Sequence, residues 1–387
     1  IDASGKWRFN FLDWEASRAG EGGGLTINIV ALLDEIAGAI AGDAGKAEGG
    51  GDNKFFDDAL HNMNMNLVDL PVFAGLPLSL PLMRSIVVTA PASTQEIANP
   101  QWQQTSTCAA IIREAESNLQ KAPQAVKDDF EECKNYWLRE YPAIGEKTRG
   151  IIALSFSMLV RPFITRPLRQ LFSTDTNIRP EDTFDGKVII VDLPIQEYRQ
   201  AGRIAQLAWK YCFQVAVLRR MQPRDAFLRP VFLWADEAQN FISEFDAEYQ
   251  AVARSAGGCT VYLTQNRELF RGMLGNDDKV DALLGNLQAK FFCQNSSPDT
   301  NEFAAKLLGE RWIYSTSTNA SQGQDARSGS AGVTRSESKR YYVEPSQFTT
   351  LKRGGEVYNY QIEAIVYKGG HLFNDGQPFK LLTFNQR

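Results

Sequence analysis

Residues 230–240 read Pro230-Val-Phe-Leu-Trp-Ala-Asp236-Glu237-Ala-Gln-Asn240. A run of large apolar residues stops abruptly at two adjacent carboxylates. Uninterrupted apolar residues fit a strand covered on both faces of a parallel sheet. Acids at the carboxyl end of such a strand lie where open α/β sheets bind their ligands. This is the pattern of a Walker B strand. Asp236 would hold Mg²⁺ through water, and Glu237 would orient or deprotonate the water that attacks a phosphate. Successive strand residues face opposite ways, but the chain turns at the strand's mouth, so both acids can reach one crevice. The competing reading is a pair of acids placed near a helix N-terminus, where its dipole favours them.

The next apolar run, "TVYLTQN" at 260–266, ends in Thr264, Gln265 and Asn266. In a parallel sheet that end lies beside the end of the preceding strand. Gln265 there can hydrogen-bond both an attacking water and a phosphate oxygen, which is a sensor role. By itself it would be a helix cap or turn residue. Between the two strands lies "ARSAGG", with Arg254 at the end of a helix. A cation is favourable at that place. It could also act as an arginine finger reaching a neighbouring subunit's nucleotide, which requires a ring-shaped oligomer.

The rest of the chain supplies the setting. "GKVIIVDLP" (186–194), "VFLWA" (231–235), "CTVYLTQN" (259–266) and "AKFFCQN" (289–295) read as four apolar strands, with helical runs between them. That alternation predicts an α/β fold with a mostly parallel sheet and helices on both faces. One helix is "PDTNEFAAKLLGE", opened by Asp299 or Thr300 as cap. Residues 25–149 carry apolar residues at three- and four-residue spacing and no alternating run. They predict an all-helical block, with a soft linker at 42–53 and a break in "SNLQKAPQAVKDDFEECKNYWLREY". Residues 315–339 are Ser/Thr/Gly/Gln-rich with almost no apolar content, and predict a mobile loop. "VYNYQIEAIVYKGG" and "QPFKLLTF" close the chain as two antiparallel edge strands.

Bulk properties narrow the function. Charged residues are 22% and hydrophobic residues 43% of the 387 residues, an ordinary globular balance. The formal net charge is -5, so nucleic acid would have to meet a local basic face. Arg327, Arg335, Lys339 and Arg340 form one candidate cluster, and Arg219, Arg220 and Arg224 another. A solvated surface is the plainer reading of each. The aromatics of "KNYWLREY" fall at helical spacing and read as core. Five cysteines lack metal-ligand spacing and predict reduced thiols. Only His61 and His371 are present, which argues against histidine catalysis or a His-rich metal site. The apolar stretch Leu67–Ala90 contains Pro71, Pro77 and Pro81 and reads as a buried helical connection, not a membrane span.

"RPVFLWADEAQNF", "AVARSAGGCTVYLTQN", "LLGNLQAKFFCQNSSPDTNEFAAKLLGE" and "FNFLDWE" together resemble the conjugative coupling ATPases of type IV secretion. These are TraG/TraD-like members of the FtsK/HerA group of RecA-like ring motors. The resemblance covers 150–387 and, more loosely, 7–15. It implies a RecA-like domain formed by 1–24 and 150–387, with an all-α domain inserted at 25–149. It implies ATP and Mg²⁺ as ligands, with Asp236 on the metal, Gln265 on the nucleotide, and Glu237, Gln265 and Arg254 in hydrolysis. It further implies a homo-hexamer that moves single- or double-stranded DNA. The partners would be a relaxase–DNA complex and a secretion channel. The setting would be the cytoplasmic face of a bacterial membrane, held through a segment outside this chain. The alternative from a different class is a non-hydrolysing scaffold whose helical domain recruits cargo, and a HerA-like DNA motor for repair or defence is a nearby enzymatic variant.

One part of such a site is missing from the chain. A phosphate loop needs Gly-x-x-x-x-Gly-Lys-Ser/Thr. Gly5-Lys6, Gly45-Lys46 and Gly186-Lys187 all lack that context. In the family the loop lies upstream of the segment that "IDASGKWRFNFLDWE" resembles. The expectation is a chain that begins after it, binds nucleotide poorly on its own, and is inactive alone.

Overall fold

A computed structural model describes all residues except 42–51, 221–228 and 323–328. Gly45-Lys46, Arg224, Arg327 and most of the linker expected at 42–53 therefore lie outside the described residues. The chain divides into two compact units. One comprises 1–233 and 252–259, the other 234–251 and 260–387.

The first unit is helical. Its helices include α1 (Phe11–Ala16), α2 (Thr26–Ala41), α3 (Asp52–Phe73), α4 (Leu80–Thr89), α5 (Thr107–Asn118), α6 (Gln124–Asn135), α7 (Glu146–Val160) and α8 (Ile195–Leu218). The break inside 117–141 falls at Pro123, where the backbone turns extended before α6. A proline there removes a donor and disfavours helix in the residue before it. One apolar core runs from Phe9 and Phe11 through α2–α7 to Trp209 on α8. Phe9 meets Trp209 edge-on at 5.0 Å, and Phe11 meets Phe163 at 5.4 Å. "FNFLDWE" and α8 share this core with the helices between them.

Tyr136, Trp137 and Tyr141 are buried in this core, as their helical spacing suggested. Leu67–Ala90 forms the end of α3, a turn and α4. Among the described residues no helix is long and apolar enough to cross a membrane.

β1 (Val231–Ala235) and β2 (Gly258–Tyr262) form a two-stranded sheet. Val231 N donates to Gly257 O at 3.0 Å and Leu263 N to Ala235 O at 3.0 Å, an order that makes the pair parallel. Residues 188–193, expected as a strand, are extended but not part of a ladder. Its backbone meets Ile1, from the Ile1 amine to Ile190 O and from Asp192 N to Ile1 O, and Leu193 O accepts from Gln206 Nε2 at 2.9 Å. One residue of pairing does not make a strand, and Val188 and Ile190 remain 87% and 71% exposed.

The second unit carries α9 (Phe245–Val252), α10 (Arg267–Leu274), α11 (Asp277–Asn286) and α12 (Pro298–Leu308). β3 (Ala289–Phe292), β6 (Gln361–Lys368) and β7 (Phe379–Asn385) form an antiparallel sheet in the order β3-β6-β7. The expected closing pair is thus present, and "AKFF" joins it rather than the parallel pair. α12 lays Ala304, Ala305 and Leu308 against Phe348, Leu351 and Ile365. Its cap is Ser297, whose hydroxyl accepts from Thr300 N, not Asp299 or Thr300. The described part of the expected loop at 315–339 lies instead in two paired strands, β4 (Glu310–Gln322) and β5 (Gly329–Tyr341), matched over thirteen positions. The chain is an α/β protein with, among the described residues, one parallel pair and two antiparallel sheets.

Candidate nucleotide-hydrolysis site

The acids follow β1 directly. Asp236 is exposed and its Oδ1 accepts from Glu237 N at 3.0 Å. Glu237 takes φ 50° and ψ 47°, left-handed for a residue with a Cβ. That conformation costs on the order of 1–2 kcal/mol and persists only where neighbours fix it. They do so here. Ala238 N donates to Leu263 O at 2.8 Å, tying the turn after β1 to the end of β2.

Glu237 is the hub of a side-chain network. Its Oε1 accepts from Gln265 Nε2 at 3.1 Å, and its Oε2 accepts a short bond from Gln239 Nε2. Gln239 Oε1 in turn accepts from Thr264 Oγ1 at 2.9 Å. Gln239 is buried, so its amide orientation is set by what surrounds it. Gln265 is held at its backbone as well, since Asn295 Nδ2 donates to Gln265 O at 2.6 Å. The structure therefore brings Glu237 and Gln265 together and sets Asp236 on the adjoining peptide.

Arg254 is not part of this network. It lies exposed in the turn after α9, where its carbonyl accepts from Gly257 N at 3.1 Å. Gln239, Thr264 and Asn295 are the members that sequence reading did not assign. Gln239 had a signal, standing two residues after Glu237 in the quoted motif. Asn295 had none, because its contact crosses thirty positions.

The donor set suits Mg²⁺ held mostly by water and phosphate. Mg²⁺ keeps several waters and takes one or two carboxylates along with phosphate oxygens. Asp236 offers such a carboxylate, exposed at the strand mouth and with one oxygen already oriented by a backbone amide. No trio of His, Cys, Asp or Glu able to cage a metal is found among the described residues.

The two other basic positions proposed near α8 are taken up structurally. Arg219 forms a bidentate pair with buried Glu15, at 2.6 and 2.9 Å, and lies over the Trp14 ring. Arg220 donates to Arg229 O and stacks on Phe184 at 4.4 Å. Of the Gly-Lys pairs, Lys187 is bound to Asp182 and Lys6 lies over Trp7.

A family model described as the TraM recognition site of TraD and TraG matches residues 230–353. That segment contains both acids, Gln265 and the β4–β5 hairpin. Among solved structures, the bacterial conjugative coupling protein TrwBdeltaN70, unbound monoclinic form, is similar at 11% identity and a TM-score of 0.57. The likeness covers 98% of this chain and 71% of that one. The plasmid coupling protein TrwB in complex with the GTP analogue GDPNP is similar at 12% identity and a TM-score of 0.54, over 100% of this chain and 74% of that one. TrwB with an ATP analogue, ADPNP, gives 13% identity and a TM-score of 0.52, over 92% and 68%. A search of curated proteins gave no match. The chain is TraG/TraD-like in the matched segment, and its fold is the fold of TrwB.

Proposed function

We propose that this chain is part of an ATP-driven DNA translocase, a coupling ATPase for conjugative transfer through a type IV secretion system. The observation that carries the reading is the Glu237 carboxylate, bonded on one oxygen by Gln265 from the neighbouring strand end and on the other by Gln239. A general base must be held in place and within reach of its water. Two amide donors hold this carboxylate in place, at the edge of a parallel pair where ligands bind. The segment match and the TrwB-like fold support the setting. Solved TrwB structures with ADPNP, and with ADP and Mg²⁺, support the choice of ligands.

In this reading bound Mg²⁺ neutralises charge on the transferred phosphoryl group. Asp236 would hold the metal through its water. Glu237 takes a proton from, or orients, the attacking water. Gln265 links Glu237 to the phosphate end, so that its position reports nucleotide state to β2 and, through Asn295, to the loop before α12. Arg254 serves a neighbouring subunit of a hexameric ring. A relaxosome component docks on the protein, which works at the cytoplasmic face of the membrane. A non-hydrolysing scaffold would leave the left-handed Glu237 backbone without a use.

The test is ATP hydrolysis by the intact protein with and without DNA. The expected result is DNA-stimulated turnover. Asp236→Asn should raise the Mg²⁺ concentration needed for half-maximal rate. No DNA stimulation, or an unchanged Mg²⁺ requirement, would count against the assignment.

A further inference from the structure

We propose that the β4–β5 hairpin is a single-strand nucleic-acid arm, in which Trp312 and Tyr314 stack on bases and Arg311, Arg335, Lys339 and Arg340 meet phosphates. Trp312 and Tyr314 are 57% and 69% exposed, an unusual expense of aromatic surface on a ribbon with water on both sides. They stand two residues apart and so share one face, about 6.8 Å apart along the strand. That is about twice the 3.4 Å spacing of stacked bases, the gap in which one base fits between two rings. Lys339 pairs with Trp312 in register and holds its ammonium 5.2 Å from the ring centroid. Arg335 follows on the same face, opposite Thr316.

The opposite face carries a second signal. Arg311 and Arg340 are direct cross-strand partners. Like charges so placed destabilise a hairpin, and neither makes an ion pair among the described residues. An anion relieves that repulsion. Over the described hairpin side chains, four bases stand against Glu310 and Glu337, on a protein whose formal net charge is -5. The remaining positions include Ser315, Ser317, Thr334, Ser336 and Ser338. Serine is depleted in protein–protein interfaces, whereas hydroxyls commonly bond phosphate oxygens. Together these favour a polyanion over a second copy of the chain. Exposed rings favour unpaired bases over a duplex, whose bases are already stacked.

The inference names the DNA contact of the proposed motor, but its test needs no nucleotide. Fluorescence anisotropy would compare a labelled 20-nucleotide oligothymidine with a duplex of equal length at low salt. The chain should bind the single strand more tightly. W312A/Y314A should weaken it by at least about tenfold, with W312F largely retaining it and circular dichroism unchanged. R311Q/R340Q should flatten the salt dependence. Equal binding of duplex and single strand, or an unaltered W312A/Y314A, would overturn the inference. So would loss of sedimenting mass in that variant with oligothymidine affinity intact, which would make the arm a contact between copies. Single-strand binding without ATP turnover would leave this inference standing and remove the motor; turnover without it would do the reverse.

Discussion

Glu237 and Glu15 show how differently two acids can be held. Glu237 is half-buried and accepts from two neutral amides, which orient its carboxylate at the strand end. Glu15 is buried and committed, accepting Arg219 through both oxygens and Arg18 at 3.2 Å. Removing one partner of a buried pair leaves the other charge uncompensated. Glu15→Ala should therefore destabilise the protein by about 3 kcal/mol, read as a lower midpoint in urea. An unchanged midpoint would show that solvent serves the two arginines equally well. Of the candidate site, Asp236, Glu237 and Gln265 were legible because each ends an apolar run. Gln239 and Asn295 were not, because their roles depend on a turn geometry and a distant contact that no local pattern encodes.

At the scale of elements, the sequence was most misleading where burial was used as the measure of order. The Ser/Thr-rich run at 315–339 buries little, yet its described part lies in a thirteen-pair ladder. Its order comes from backbone hydrogen bonds and β-branched threonines, not from a core. The reverse held at 186–194, where an apolar run pairs with no strand among the described residues. Helix α12 shows the limit of cap assignment. Ser297 caps it and also bonds Glu268, which accepts from Thr300 too, so one hydroxyl joins α10 to α12. Burial pushes the Glu268 pKa up, but the Ser297 and Thr300 hydroxyls, a backbone bond and nearby Arg271 together draw it below the usual value. Ser297→Ala should lose about 1 kcal/mol of stability, measured by chemical denaturation. A neutral substitution would mean that Asp299 takes over the cap.

Across the whole molecule, the α/β class and the helical stretch after residue 25 were readable from periodicity. The division of the chain was not. It follows which side chains share a core, and "FNFLDWE" is far in sequence from Phe163 and Trp209 but packed with both. Cys108, Cys133 and Cys212 belong to that core, where burial pushes the Cys108 thiol up to about 12 and raises the other two as well. They are inert structural thiols, in keeping with the absence of metal spacing. What the fold holds ready is the strand-end pair of Glu237 and Gln265. Its most direct test is ATP turnover by the intact protein beside Glu237→Gln, with nucleotide affinity measured on both. A displaced base should cost at least about 100-fold in rate while affinity stays within about twofold of wild type. Comparable turnover in the two proteins would contradict the role given to Glu237.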